Sequence, residues 1–242
     1  MAQNKKKPAA KAKQTNYRPY IKGFWILFLS GLGAIILVFL LASWGVFGKL
    51  PTFEELENPE SNLATEILSS DGKTLGKFYN ENRTPVKYED LAQNLVDAVV
   101  ATEDRRFYEH SGIDMRGTAR AVAFLGSKGG ASTITQQLAK LLFSDTPSSK
   151  FERVLQKVKE WIIATRLESQ YTKEEIITMY LNKQDFLFQA VGIRSASKIY
   201  FDKEPIDLRP EESAIIAGML KNPRQYNPYR EISKDKSLER RN

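Results

Sequence analysis

Between Gly23 and Gly48 the sequence GFWILFLSGLGAIILVFLLASWGVFG carries no charged residue. The run exceeds the roughly 20 residues that cross a bilayer core as a helix, and it outlasts the apolar region of about 7 to 15 residues in a cleaved signal peptide. Residues 23–48 therefore read as a transmembrane anchor. Residues 49–63, KLPTFEELENPESNL, combine two prolines with acidic and polar side chains and read as a juxtamembrane linker. In ATEILSSDGKTLGKFYNENRTPVKY, Asp71-Gly72 lies between apolar-alternating arms, the pattern of a short hairpin. Helical periodicity dominates from there on. Leu91, Leu95, Val96, Val99 and Val100 recur at helical spacing. Ser149 with Glu152 and Thr172 with Glu175 match the capping box, in which two side chains satisfy otherwise unpaired backbone donors. These caps predict helices over about residues 150–169 and 173–182, and Pro210 opens another through Leu220. GSKGGA, residues 126–131, suits a loop ahead of a further helix. The pattern predicts a mainly α domain with a small β-hairpin, preceded by one transmembrane helix.

Composition alters this picture at one place. The net charge of +7 and the pI near 9.4 would raise nucleic acid as a partner. Seven of the 36 basic residues, however, fall in the first 22 positions: Lys5, Lys6, Lys7, Lys11, Lys13, Arg18 and Lys22, with no acid among them. The remaining basic residues balance the 29 acidic ones, so the body of the chain is formally neutral and no nucleic-acid partner is indicated. Residues 1–22 read instead as a basic cytoplasmic tail. Glu54, Glu55, Glu57 and Glu60 follow the apolar run, so the charge bias places the N-terminus in the cytoplasm and the body outside. The absence of cysteine excludes disulfides and thiolate metal sites, and a single histidine excludes a multi-histidine site.

Three stretches can carry chemistry. In ATEDRRFYEHSGID, residues 101–114, Arg105 and Arg106 can offset Glu103 and Asp104 in solvent, and such exposed pairs are energetically weak. A carboxylate ending an apolar helix can also lose solvent, which moves it toward the general-base range; Glu103 is that candidate. His110 on its own reads more readily as a hydrogen-bonded structural residue. In GGASTITQQLAK, Ser132 can cap the following helix, and Ser132, Gln136 and Lys140 stand four apart, lining a hydroxyl, an amide and an ammonium along one face. Ile134, Leu138 and Leu141 are left for packing. On the helix predicted from Lys150, the residues Lys150, Arg153, Lys157 and Glu160 fall within an arc of roughly 80°, with Phe151, Val154, Leu155, Val158, Trp161 and Ile162 beside them. Such a stripe either solvates a helix or holds a diphosphate, and pattern alone leaves both open.

In this order, behind an N-terminal anchor, the three stretches resemble the peptidoglycan glycosyltransferase family of class A penicillin-binding proteins and monofunctional transglycosylases. Glu103, Asp104, Phe107, His110 and Gly112 complete the motif EDxxFxxHxG, and Gly130, Ser132, Thr133, Thr135, Gln136 and Gln137 match the second motif. Lys157 and Glu160 match the third, in which Gln156 stands in place of an arginine. Lys173, Glu175, Ile176, Tyr180, Leu181 and Asn182 match the fourth, and Arg240-Arg241-Asn242 resembles the opening of a fifth. On this likeness residues 64–242 are expected to form most of the domain within a longer protein. Serines followed three residues later by lysine, at Ser70, Ser195 and Ser233, have no KTG partner and do not define a transpeptidase centre.

The resemblance implies a lysozyme-like helical glycosyltransferase domain on the outer face of the bacterial cytoplasmic membrane. Its substrates would be lipid II and the nascent glycan strand, with membrane lipid and cell-wall synthesis proteins as candidate partners. Glu103 would be the general base and Glu160 the second catalytic acid, directly or through Mg2+ or Mn2+. Asp104, Phe107, His110, Ser132, Gln136, Gln137, Lys140, Arg153 and Lys157 would bind substrate. Both carboxylates are expected to line one cleft opening near the lipid headgroups. The apolar run AVAFL, residues 121–125, can face the membrane or the core. A lytic transglycosylase or lysozyme-like hydrolase, and a non-catalytic glycan-binding scaffold, are the alternative readings.

Overall fold

The structure is a computed structural model that describes residues 17–48, 50–52, 65–69, 74–78, 85–124, 130–143 and 147–241. The chain divides into two units, Met1–Val46 and Phe47–Asn242.

In the first unit, α1 (Arg18–Ser43) is a 26-residue helix with Pro19 in its first turn. At 1.5 Å per residue it is about 39 Å long. Its most apolar window has a mean hydropathy of 2.7, so among the described residues it is the helix long and apolar enough to cross a membrane. The helix starts before the uncharged run and ends ahead of its last residues, since Trp44–Phe47 continue as turns.

The second unit begins with part of the expected linker held against the domain: Leu50 packs on the core, and Arg166 Nη1 donates to Pro51 O at 3.2 Å. Strands β1 (Thr65–Leu68) and β2 (Thr74–Phe78) pair antiparallel, Thr65 opposite Phe78, with an irregularity between Ile67 and Leu68. The Asp71-Gly72 turn and most of the GSKGGA loop lie outside the described residues.

The helices then follow as α2 (Gln93–Glu103), α3 (Met115–Ala123), α4 (Ile134–Phe143), α5 (Lys150–Gln170), α6 (Lys173–Lys183), α7 (Ile193–Phe201), α8 (Pro210–Leu220) and α9 (Glu231–Arg241). Ser149 and Thr172 cap α5 and α6, each hydroxyl accepting the backbone N–H three residues on; the expected reciprocal box closes at Thr172, whereas Glu152 accepts from Ser148 N and Oγ in place of Ser149. α4 packs against both α5 and α6, while α2 and α9 pack against α8. Leu95, Val99, Ile134, Leu138, Ile163, Leu167, Ile176, Tyr180 and Ile216 form the core where these helices meet.

Two amphipathic expectations change in the structure. The apolar arc at the start of α5 does not face the core: Phe151 and Val154 are exposed, because the buried face of α5 is Glu160, Ile163, Ala164 and Leu167. This is the cationic face of Lys150, Arg153 and Lys157 continued along the helix, open in the first turns and closed from Glu160 onward. Leu141 is likewise exposed rather than packed. Of the AVAFL run, Val122 and Phe124 are exposed and do not enter the core.

Candidate active site

α2 ends at Glu103 because Asp104 leaves helical geometry, at φ −156° and ψ 77°, after its N–H closes the last turn on Val100 O. The end of the helix is pinned from two sides. Asp104 Oδ2 accepts the Ile134 N–H at 3.1 Å and lies 3.0 Å from His110 Nε2, which ties the start of α4 to the turn after α2. Lys173 Nζ donates to His110 O at 2.6 Å and to Glu168 at 2.8 Å, and sits 4.5 Å from the centroid of the fully buried Phe107 ring. Gly112, at φ 86°, brings the same turn onto α5: a Cβ there would meet the Ala164 carbonyl at 2.9 Å, which is why a residue without one stands there.

The N-terminus of α4 corrects one expectation. Thr133, rather than Ser132, caps the helix: its Oγ1 accepts from Gln136 N at 3.1 Å and donates to Gly112 O at 2.6 Å. Ser132 stays exposed and its Oγ accepts from Lys157 Nζ at 3.1 Å. Gln136 is buried and directs its amide at Gly112 O, so it does not share an open face with Lys140.

These elements enclose a cavity of about 530 Å³, walled by Glu103, Asp104 and Asp114, by Arg105, Arg106, Arg120, Lys221 and Arg240, and by Ser132, Thr133 and Gln137. The Glu103 side chain is 13% exposed and has Arg240 Nη2 3.7 Å from Oε1. Gln137 Nε2 donates to the other oxygen, Oε2, at 3.1 Å. Arg106 is not hydrogen-bonded to Glu103 or Asp104, although the Asp104 charge still acts on it. It pairs with Asp114, at the start of α3. Burial alone would push the Asp114 carboxyl up, but the Arg106 guanidinium and the Gly117 N–H bind its charged form and hold it below the usual carboxylate range.

The second carboxylate stands apart from this wall. Glu160 is 3% exposed and its Oε2 accepts from Lys157 Nζ at 2.7 Å. Lys157 thus spans Glu160 and Ser132, and it is through Ser132 that this pair reaches the cavity. Of the two carboxylates, Glu103 is on the wall of this cavity, while Glu160 is buried on α5 and linked to it through Lys157 and Ser132. The surroundings of Glu160 do not fit a resident Mg2+ or Mn2+. A hard cation needs several oxygen ligands, while this carboxylate is buried, already answered by an ammonium, and belongs to no group of three or more metal-ligating side chains among the described residues.

Of the residues expected at the site, the structure brings Glu103, Asp104, Ser132 and Gln137 to the cavity, with Lys157 at its edge. Lys140 and Arg153 are exposed and lie off the wall. Phe107, His110 and Gln136 are turned inward, and their contacts shape the turn after α2. Arg106, Asp114, Arg120, Lys221 and Arg240 are wall residues that the motif reading did not include. Arg106 and Asp114 fall inside the first chemistry-bearing stretch, and Arg240 in the Arg-Arg pair near the end of the chain; Arg120 and Lys221 carried no such signal.

Fold and site together define a helical domain whose cation-rich cavity is walled by three largely buried carboxylates, Glu103 among them. The Transglycosylase family model matches residues 71–242, and the chain belongs to that family. It is 39% identical over 201 residues to penicillin-binding protein 1A of Vibrio cholerae, covering 81% of this chain and 24% of that protein. It is 35% identical over 226 residues to penicillin-binding protein 1A of Pseudomonas aeruginosa, covering 92% and 27%. Against penicillin-binding protein 1F of Bacillus subtilis it is 42% identical over 184 residues, covering 74% and 25%. The chain spans about a quarter of the length of these relatives.

Proposed function

We propose that the chain is a membrane-anchored peptidoglycan glycosyltransferase that polymerises lipid II into glycan strands with release of undecaprenyl diphosphate. The observation that carries this reading is Glu103, held by Gln137 and Arg240 on the wall of a cavity rich in guanidinium and ammonium groups. Glu103 takes the proton from the 4-hydroxyl of the acceptor sugar. The freed oxygen forms a bond to the donor's anomeric carbon while the bond to the diphosphate oxygen breaks on the opposite face, inverting that carbon. The departing diphosphate takes the electron pair, and cations of the cavity and its edge, Lys157 among them, stabilise the charge. Glu160 holds the Lys157 ammonium in place for this task. α1 anchors the domain beside a polyprenyl substrate, with the basic residues 1–22 on the cytoplasmic side and the catalytic unit outside.

Glu103→Gln is expected to abolish polymer formation from purified lipid II while leaving the unfolding midpoint unchanged; near-normal turnover would remove Glu103 as the base. Incubation with preformed glycan separates the rivals. Cleavage of that glycan would favour a lytic enzyme, and tight binding without product would favour a scaffold.

A further inference from the structure

We infer that Gln184, Tyr180 and Gln137 form a positioning relay that fixes the orientation of the Glu103 carboxylate. The inference rests on the role of Glu103 proposed above. The Tyr180 ring lies in the core on α6, with no exposed surface. Its hydroxyl accepts from Gln184 Nε2 at 3.1 Å, which leaves its own proton for Gln137 Oε1, also at 3.1 Å. An amide has one acceptor end and one donor end. With Oε1 of Gln137 engaged by the phenol, Nε2 is turned to Glu103 Oε2, where it donates at 3.1 Å. A reversed amide would set a carbonyl oxygen against the carboxylate. Burial, and then the charge of Glu103, push the Tyr180 phenol up from its ordinary value, so it stays protonated and keeps donating.

The consequence for chemistry is selective. With Oε2 held by Gln137, Oε1 is the oxygen left toward Arg240 and the cavity, and it is the one that takes the acceptor's proton. None of the three residues needs to touch substrate through the phenol: Tyr180 and Gln184 act through Gln137. Phenylalanine at 180 would keep the core ring and remove only the switch that sets the amide.

The test is lipid II polymerisation by the full chain, with kcat and KM measured separately. Tyr180→Phe is expected to lower kcat about 3- to 10-fold, the worth of one hydrogen bond, with KM within about twofold. Gln184→Met should act in the same direction and more weakly, which guards against a folding defect peculiar to position 180. Gln137→Ala should lose at least as much as Tyr180→Phe, and adding Tyr180→Phe to it should cost nothing further, because the relay is already cut. Unchanged kcat in Tyr180→Phe, a loss confined to KM, or losses that multiply in the double variant would each overturn the relay. Glu103→Gln in the same assay distinguishes the two levels. If it retains turnover, the role of Glu103 falls; if it is inactive while Tyr180→Phe equals the parent, only the relay falls.

Discussion

Replacing Lys157 by methionine keeps the apolar stem and removes the ammonium that lies 2.7 Å from Glu160 Oε2 and 3.1 Å from Ser132 Oγ. The two partners differ in exposure, 3% for the Glu160 side chain and 47% for Lys157. Stripping the partner from a fully buried carboxylate costs about 3–5 kcal/mol, whereas an exposed pair is worth about 0.2–1 kcal/mol. Here water already reaches the lysine and can enter where the ammonium was, so the expected cost lies between these limits, at about 2 kcal/mol. For a domain of this size that lowers the unfolding midpoint by about 4–8 °C. The decisive comparison is with Glu160→Gln, which keeps the shape and removes the charge. A neutral amide has no need of a counter-ion, so Lys157→Met/Glu160→Gln should be more stable than Lys157→Met alone. Thermal unfolding of the four proteins by circular dichroism gives the coupling directly. If Lys157→Met unfolds at the parent midpoint, or if Glu160→Gln fails to rescue it, Glu160 does not depend on Lys157 and the account of this pair is wrong.

Three further outcomes are expected. Thr133→Ala should destabilise by about 1–2 kcal/mol in a urea titration, through loss of a helix cap and of the bond to Gly112 O; Ser132→Ala should leave stability unchanged. Leu187, Phe188 and Gln189 all have positive φ, at 68°, 53° and 62°. Gln189→Gly, at an exposed position, should therefore raise stability by about 0.5–1 kcal/mol, and a lower urea midpoint would contradict the strain argument. Glu212 gives a pH prediction. Burial pushes its carboxyl up, but hydrogen bonds from the Arg209 side chain and backbone and from Lys203 outweigh it and bring it down to about 2, from an ordinary value of 4.5. The folded state therefore binds this proton less readily than the unfolded chain. Its contribution is full above about pH 4.5 and drains away as pH falls toward 2, so Glu212→Gln should flatten that part of the acid-unfolding profile.

The parts of the fold legible in the sequence are those set by local contacts. The Ser149 cap and the Thr172–Glu175 capping box place the starts of α5 and α6, because each hydroxyl is answered by the backbone N–H three positions on. Pro210 does the same for α8. The site was less legible, since its geometry depends on where distant segments meet. Ser132 and Thr133 are equivalent caps by residue type, and the Gly112 carbonyl decides between them by taking the Thr133 hydroxyl. Arg106 stands close to Glu103 and Asp104 in sequence, yet the chain leaves the helix at Asp104 and delivers Arg106 to Asp114. The cation that does reach Glu103 is Arg240, brought back by α9 against α8, with its Nε on Gly218 O at 3.0 Å. The stripe on α5 shows most clearly where pattern stops. Lys150, Arg153, Lys157 and Glu160 share a helical face by spacing alone, but spacing cannot say that the face passes from solvent into the core between Lys157 and Glu160. That transition gives the stripe its chemistry: it leaves an ammonium at the cavity edge, held by a buried carboxylate on one side and by the Ser132 hydroxyl on the other.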